Sequence, residues 1–449
     1  MPISSSVTAV NAALKLLYKK NVPNLSYNKQ ALLSKLAVKS DFTGEKKVLA
    51  LQTSNPQGFG SSFASALANA GSVESFSRFQ LFRIQHYGFA RVAGEVMRTA
   101  VDPGALVPVW RNRTASIVRG MQNSAGRLVY GSGTGKIGTV GVAISALTST
   151  ITLQNAADIA NFEVGMNINI YESGDTFAGN YLHLLTGVPA VQSVYDAAPA
   201  TYKRTVSAVS RDINSGAATI TVGAQISGSG TPIPVGAVIT RDGDGVAADG
   251  SGTGYDVTAR APAGLEQWIG GSLIGSGPTG NTLFELNRST DKVRLGGQVS
   301  NATGRNMVEA LQDLEANILF QGIGYPTSIV VNPLDFGNLK KSALSDVIRN
   351  PSADPKQNLN FSDVVFMGQN GPIPFLQDPF CPRNKAYMLN MDTWALHTAP
   401  GGMFQLVDWD GNSFLRLSDA DNYEARFASY YQMGCDNPGS NGYLYNWGA

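Results

Sequence analysis

The β-prone run from Phe76 to Val92 constrains the fold most, because few compact domains are wide enough to hold so long a strand. At the usual rise per residue it would span about 50 to 60 Å. A strand is predicted before it at 46–53, and an apex rich in Gly, Ser and Ala lies at 55–72. The run predicts a projecting hairpin that neighbouring copies bury, since its aromatic and arginine side chains fall on both faces: Phe76, Phe79, Phe82, Tyr87, Phe89, Arg78, Arg83 and Arg91.

Two longer segments have helical periodicity. A long helix is predicted after Pro108, with apolar residues at spacings of three and four up to Leu128. A second helix is predicted over 306–320, followed by a buried strand at 328–331 that Asn332-Pro333 ends. Short helices are predicted at 3–20, 27–39 and 333–339, and further strands at 364–367, 386–390 and 394–399.

The segment between positions 140 and 254 has a different texture. Short alternating strands, such as 166–171 and 218–222, are separated by Asn, Gly and Asp turn residues. The segment has about the size of one ordinary domain, and its glycine-rich end suits a flexible return to the parent fold. The sequence therefore predicts an inserted all-β domain at 140–254.

The charge content indicates what the surface meets. Charged residues make up 15% of the 449 residues, whereas roughly 25% is typical. Subunit interfaces are depleted in charge, so the low value indicates that partners cover much of the surface. A β-rich monomer coated with Ser, Thr, Asn and Gly is the alternative. The formal net charge of +1 predicts only weak, local contact with nucleic acid.

Motifs for nucleotide and metal chemistry are incomplete. Gly133, Gly135 and Gly138 match a dinucleotide fingerprint with Asp158 at a suitable distance, but they follow a helix and precede strands, the reverse of the required order. Asp242 and Asp244 resemble the start of a calcium loop that lacks its bidentate acid. The spacing of the histidines excludes common zinc motifs: His86, His183 and His397.

Other residues likewise favour structural roles. Acidic residues near Trp409 could form a carboxylate pair for glycoside chemistry, but turn positions explain them equally well: Asp408, Asp410, Asp419 and Asp421. Cys381 and Cys435 are too few for a disulfide scaffold, which fits a reducing cytoplasm. Positive charges follow the first apolar stretch, so no export is predicted, and the uncharged window 137–157 is interpreted as strands and not as a membrane span. No catalytic, cofactor or metal site is expected.

The order of these elements resembles the tailed-bacteriophage major capsid proteins with the Hong Kong 97 fold. Four segments carry the resemblance: the hairpin return at 76–100, the glycine exit of the long helix at 126–139, and the stretches TSIVVNPLDFGNLKKS at 327–342 and GPIPFLQDPFCPRNKAYMLNMDTWALH at 371–397. The inserted domain departs from the minimal fold. It looks like the extra β-domains that some members carry outside the shell, where they cover neighbours or replace a cementing protein.

The resemblance implies an α+β Hong Kong 97-like capsid fold with the inserted all-β domain. It divides the chain into an N-terminal arm (1–41), an extended hairpin loop (42–98), a peripheral domain with the spine helix (99–139), the insertion (140–254), the second part of the peripheral domain (255–325), and an axial domain with return strands to the peripheral domain (326–449).

The function that the resemblance implies is assembly. Hexamers and pentamers of the chain would form an icosahedral shell around double-stranded DNA, built in the host cytoplasm and retained in the virion. Expected partners are other copies, a separate scaffolding protein, a portal protein at one vertex, a possible decoration protein and the packaged DNA, with no membrane. A cellular nanocompartment shell of the same fold, or a β-rich phage glycan hydrolase, are the alternatives.

The expected assembly interface includes apolar residues of the apex and arginines along the hairpin and helix: Phe59, Phe63, Arg78, Arg83, Arg91, Arg111 and Arg119. Pairing of the helix arginines with carboxylates of neighbours ranks above contact with DNA. Lys46 and Lys47 lie near the hairpin base and not at its tip, so no covalent cross-link between subunits is expected.

Overall fold

The structure is a computed structural model that describes residues 31–95, 109–133, 135–144, 148–171, 204–211, 217–226, 233–242, 244, 261–270, 282–321, 324–348, 365–407, 415–416 and 421–447. The predicted helix at 3–20 lies outside them.

The first part of the chain forms a hairpin and the start of a sheet. A short helix α1 (Ala31–Lys35) and strand β1 (Ala37–Lys39) precede β2 (Lys46–Ser54), which pairs antiparallel with β3 (Ser75–Phe82). Helix α2 (Phe63–Ala68) lies in the apex between these strands, and the Ser62 hydroxyl caps its first turn. Strand β4 (Ile84–Ala93) follows directly.

Strand β4 pairs with a strand from the far end of the chain. Along its whole length it lies antiparallel to β21 (Asn422–Cys435), which also pairs with β18 (Trp394–Thr398), β19 (Gln405–Leu406) and β20 (Leu415–Arg416); β1 lies parallel to β18. The predicted continuous run of 76–92 is therefore divided at Arg83. Its first half belongs to the hairpin and its second half to this six-stranded sheet, called the β21 sheet below.

The long helix α3 (Val109–Leu128) covers one face of the β21 sheet. Met121 packs with Ala90, Ala425 and Phe427, and Gly88 leaves no room for a side chain beside Met121. The predicted apolar stripe of this helix is thus its contact with the sheet.

The inserted segment folds around its own core as a closed barrel. Its sheet has the order β5 (Lys136–Thr139), β10 (Val238–Arg241), β7 (Asn167–Tyr171), β8 (Arg204–Arg211), β9 (Ala218–Ile226) and β6 (Thr148–Thr152). The ends meet through the bridge between Val140 and Leu153, which removes the free edges. Isoleucines and valines fill the interior, among them Ile151, Ile168, Ile220 and Ile239. The predicted all-β insertion is confirmed over the described residues of this segment, but the barrel begins with β5 at Lys136, before the predicted boundary at position 140.

The remaining described segments form a mixed sheet with helices against it. The sheet has the order β13 (Gln298–Asn301), β22 (Gly442–Tyr445), β17 (Lys385–Leu389), β14 (Ser328–Val331), β16 (Gly371–Gln377) and β15 (Val365–Gly368). Helices α5 (Met307–Phe320) and α6 (Pro333–Ile348) pack on it, while α4 (Leu265–Ile269) and the pair β11 (Thr282–Leu283) and β12 (Leu286–Asn287) lie nearer the hairpin.

Several predicted boundaries change in the structure. The helix after Asn332 extends to Ile348, beyond the predicted end at Leu339. The predicted helix 27–39 begins outside the described residues; within them it is helical over Ala31–Lys35 and is followed by β1, which pairs with β18. Strand β13 and helix α5 share a sheet and a core with β14, whereas the sequence grouped them with the preceding segment.

Candidate functional site

The base of the hairpin is fixed to the body of the protein. Leu49, Phe79 and Leu81 are buried there, and the Phe79 ring lies edge-on to Trp268 with centroids 4.9 Å apart. Lys46 pairs with Glu285 at 2.6 Å, and the Gln80 amide donates to the Phe284 carbonyl. Two strands alone are marginal in water, so these contacts give the hairpin its position.

A buried histidine joins the base to the β21 sheet. His397 is 2% exposed, and its Nδ1–H donates to Asp41 at 2.7 Å, while Asp41 also binds Lys47 of β2 at 3.1 Å. Burial by itself raises the pKa of Asp41, but the hydrogen bonds from His397 and Lys47 outweigh it and hold the pKa below its usual value. Asp41 therefore stays ionised and connects three parts of the chain.

The far half of the hairpin exposes apolar side chains to solvent. Beyond Leu49 and Phe79 no residue of the hairpin is fully buried, and hydroxyl groups of Ser54 and Ser75 join the two strands. Monomeric proteins rarely leave such a patch uncovered. The exposed residues are Phe59 (68%), Phe63 (83%), Leu67 (63%), Val73 (77%) and Phe76 (68%).

A second surface lies on the face of the β21 sheet that α3 does not cover. Tyr87 and Phe89 of β4 are about half exposed, and their cross-strand partners are Ala428 and Arg426. Arginine and aromatic residues dominate the energetic centres of protein interfaces. This surface, called the arginine-aromatic face below, therefore has the composition of a binding surface.

A buried carboxylate organises the arginines of this face. Glu424, whose side chain is 1% exposed, accepts the Nε–H groups of its cross-strand partner Arg91 and of Arg426, the latter at 2.6 Å. Burial raises the pKa of Glu424, but the two guanidinium groups outweigh it, so that its pKa lies below the usual range. The three residues, called the Glu424 cluster below, have two positive charges and one negative charge.

The opposite end of the face has a further cation. Arg83, at the break between β3 and β4, stacks on the Tyr430 ring at 5.6 Å. The Tyr87 hydroxyl lies 3.3 Å from that of Tyr430 and donates to Gln85. Both ends of the face are therefore positively charged, with the exposed aromatics between them.

Arginines of α3 differ in their surroundings. The side chain of Arg111 lies outside the described residues, and Arg119 is half-buried without an ion pair in the described part of the chain. Arg127 is buried and pairs with Glu163 of the barrel at 3.2 Å, and Ser124 donates to Asp244 at 2.8 Å. The end of α3 thus attaches the barrel.

The structure separates the predicted interface residues into three groups. Phe59 and Phe63 lie at the apex of the hairpin, and Arg78 lies where its exposed half begins, next to buried Phe79. Arg83 and Arg91 lie on the arginine-aromatic face, where each contacts a partner within the chain. Arg111 and Arg119 belong to α3 behind that sheet.

Residues of the weaker motifs have structural roles in the described regions. Gly133 and Gly135 adopt positive φ values in the turn from α3 to β5, and Gly138 packs on Phe162, so the order is helix, turn, strand. Asp242 accepts from Asn169 and Asp244 accepts from Ser124. His86 is half-buried on β4, whereas His183, Asp408, Asp410 and Asp419 lie outside the described residues. Asp421 lies 4.0 Å from Arg416.

The described regions contain neither a cluster of metal-ligating side chains nor a membrane-spanning helix. No group of three or more His, Cys, Asp or Glu side chains there could hold a metal ion. No described helix is long and apolar enough to cross a membrane.

Sequence reasoning missed the residues that organise the arginine-aromatic face. Glu424 and Arg426 occupy alternate positions in the strand sequence NYEARFAS, which places both on one face. That alternation was the available signal, but only the pairing of β21 with β4 brings Arg91 to them.

Comparison with known proteins identifies the fold. No family model matches the chain, and no curated protein matches it. The capsid asymmetric unit of cyanophage A-1(L) matches with a TM-score of 0.51 and 13% identity, over 97% of this chain and 98% of that chain. The capsid of an empty GTA particle (TM-score 0.44, 9% identity, 99% and 100% coverage) and the holo-SrpI encapsulin complex of Synechococcus elongatus (0.43, 8%, 98% and 95%) are also similar. The cyanophage match confirms that the chain has the Hong Kong 97-like capsid fold.

Proposed function

We propose that this chain is the major capsid protein of a tailed bacteriophage, whose copies assemble as hexamers and pentamers into an icosahedral shell around double-stranded DNA. The observation that carries the proposal is the hairpin, with a base buried in the body and an apolar far half exposed on both faces. Burial of this surface by neighbouring copies would remove apolar surface from contact with water, and this would stabilise the association of the subunits.

The same hairpin accounts for the adaptation that a closed shell requires. One sequence must make slightly different contacts in hexamers and in pentamers. The base, fixed by Phe79, Trp268 and Asp41, would keep its place in both, while the glycine-rich apex at 55–72 adjusts to the neighbour.

The parts of the fold take the following roles in this proposal. The β21 sheet and α3 form the peripheral domain, and the mixed sheet with α5 and α6 forms the axial domain around the hexamer or pentamer centre. The barrel lies on the outside of the shell, where it covers neighbours or binds a decoration protein. Lys46 and Lys47 pair with Glu285 and Asp41, which fits assembly without a covalent cross-link.

Further partners follow from the same function. A separate scaffolding protein would guide assembly in the host cytoplasm, and a portal protein would occupy one vertex of the virion. Packaged DNA would make weak contacts, since the net charge is +1. Arg111 and Arg119 would pair with carboxylates of neighbours in preference to DNA. No catalytic step is assigned to the chain.

The experiment that tests the proposal is electron microscopy of the purified chain, expressed with and without a candidate scaffolding protein, together with light scattering for mass. Shells or sheets of hexamers are expected in at least one sample, and a strictly monomeric folded product in both would refute it. DNA-free particles that copurify with an enzyme would indicate a nanocompartment.

One exposed apolar residue makes the test specific to the hairpin. Phe63→Ser should leave the melting temperature unchanged, because the side chain is 83% exposed, and should abolish shells. Val293→Ser, at a residue 44% exposed elsewhere on the protein, is the matched control and should assemble normally.

A further inference from the structure

The Glu424 cluster leaves hydrogen-bond donors unused on an exposed surface. Arg91 and Arg426 each give only Nε–H to the carboxylate, and their side chains are 59% and 45% exposed. Neither guanidinium has a second acceptor within the described part of the chain. Because Glu424 fixes both groups in place, they are preorganised to bind one more anionic group from outside.

The surroundings of the cluster favour a protein ligand over duplex DNA. Phe89 lies directly across from Arg426, and Tyr87 lies two residues further along β4. A DNA duplex would present mainly phosphate groups to such a surface, so the half-exposed rings of Tyr87 and Phe89 would lie against negative charges instead of apolar groups. A protein segment with a carboxylate between apolar residues would satisfy the arginines and the rings together.

The hairpin contains a segment of that composition. Glu74 is the only acidic residue between positions 46 and 82, it is exposed, and it has no ion pair within the described part of the chain. Val73 and Phe76 beside it are 77% and 68% exposed. The segment 73–76 therefore offers one negative charge flanked by uncovered apolar groups.

We propose that Glu74 of one copy binds between Arg91 and Arg426 of a second copy, with its Val73 and Phe76 against Tyr87 and Phe89. The inference rests on the proposed function, since it requires copies that assemble. It assigns the arginine-aromatic face as the receiving surface for residues 73–76 in the far half of the hairpin, with an arginine-to-carboxylate pair setting the register of the contact.

A pair of introduced cysteines tests the contact directly. Glu74→Cys combined with Phe89→Cys in one chain should give disulfide-linked multimers when shells are oxidised and run on a non-reducing gel. The native Cys381 and Cys435 are buried, so the new thiols are the reactive ones. Glu74→Cys with Phe320→Cys, at a residue 92% exposed elsewhere, is the matched control and should remain monomeric on the gel.

A charge substitution gives an independent readout. Glu74→Gln should raise the protein concentration needed for shell formation by about fivefold or more, because Arg91 and Arg426 lose the carboxylate of the neighbouring copy and keep only Glu424. Glu309→Gln, which removes the same charge from the exposed face of α5, should have no such effect.

The outcomes separate this inference from the proposed function. Shells that form normally with Glu74→Gln and give no disulfide between positions 74 and 89 would overturn the pairing alone. Normal empty shells in Arg91→Gln that no longer retain DNA would assign the cluster to nucleic acid instead and would also overturn it. If the unchanged chain forms no shells, both proposals fail.

Discussion

Phe79→Ala tests whether the hairpin is held by its base. The side chain is fully buried and packs edge-on against Trp268 at 4.9 Å, with Leu49 as its cross-strand partner. Removing a buried phenylalanine side chain costs about 3 to 5 kcal/mol, from lost apolar burial and the cavity left behind. Unfolding entropy scales with length and reaches about 0.9 kcal/mol per degree for a chain of this size, so the melting temperature should fall by about 4 °C if unfolding is cooperative.

Differential scanning calorimetry of the unassembled chain measures this shift, and Phe63→Ala provides the control. Phe63 is the same residue type on the same hairpin but is 83% exposed, so its loss should change stability by less than about 0.5 kcal/mol. Equal shifts for the two variants, or a shift below about 1 °C for Phe79→Ala, would refute the account of a buried base and a free far half.

Two further predictions concern stability away from the hairpin tip. Burial raises the pKa of Asp158 to about 6, although Lys136 and Lys385 act to lower it. The folded state therefore binds the proton more tightly than the unfolded state, and stability rises as the pH falls from about 6 toward 4. Asp158→Asn should stabilise the chain by about 1 kcal/mol at pH 8 and by less at pH 4.5, and a pH-independent effect in thermal unfolding would contradict this. A Cβ at Gly434 would lie 2.8 Å from the ring of buried His397, so Gly434→Ala should lower the free energy of unfolding in urea by about 1 to 3 kcal/mol. The control is Gly120→Ala in the middle of α3, where the new methyl group meets nothing within 4 Å and should be neutral or stabilising by up to about 1 kcal/mol. The opposite ranking of the two variants would disprove the steric argument.

Much of the secondary structure was predictable because its signal is local. The apolar spacing of 306–320 predicted α5, which runs from Met307 to Phe320 with Asn306 as its cap. The strand at 328–331 and its end at Asn332-Pro333 were predicted equally well. These elements depend on side-chain period and on capping, which neighbouring residues determine.

The candidate site was predictable only in part. Phe59 and Phe63 are exposed because the apex projects and packs against no other part of the described chain, and the sequence indicated this projecting hairpin. The roles of Arg83 and Arg91 did not follow, because the predicted run continued past Arg83 as one hairpin strand. Residues 84–93 have an equally good β pattern for either arrangement, and pattern alone carries no information on the pairing partner.

The sequence by itself determined the type of the long, strongly periodic elements such as α3, α5 and β14, that a β-domain is inserted, and that the charge content is too low for a fully solvated surface. The tertiary structure decided that β4 pairs with β21, that Val140 and Leu153 close the barrel, and that Glu424 is buried between two arginines. The physical reason is that periodicity is a property of adjacent residues. Strand pairing and burial depend instead on the free energy of contacts between segments that are not adjacent in the sequence, such as β4 and β21.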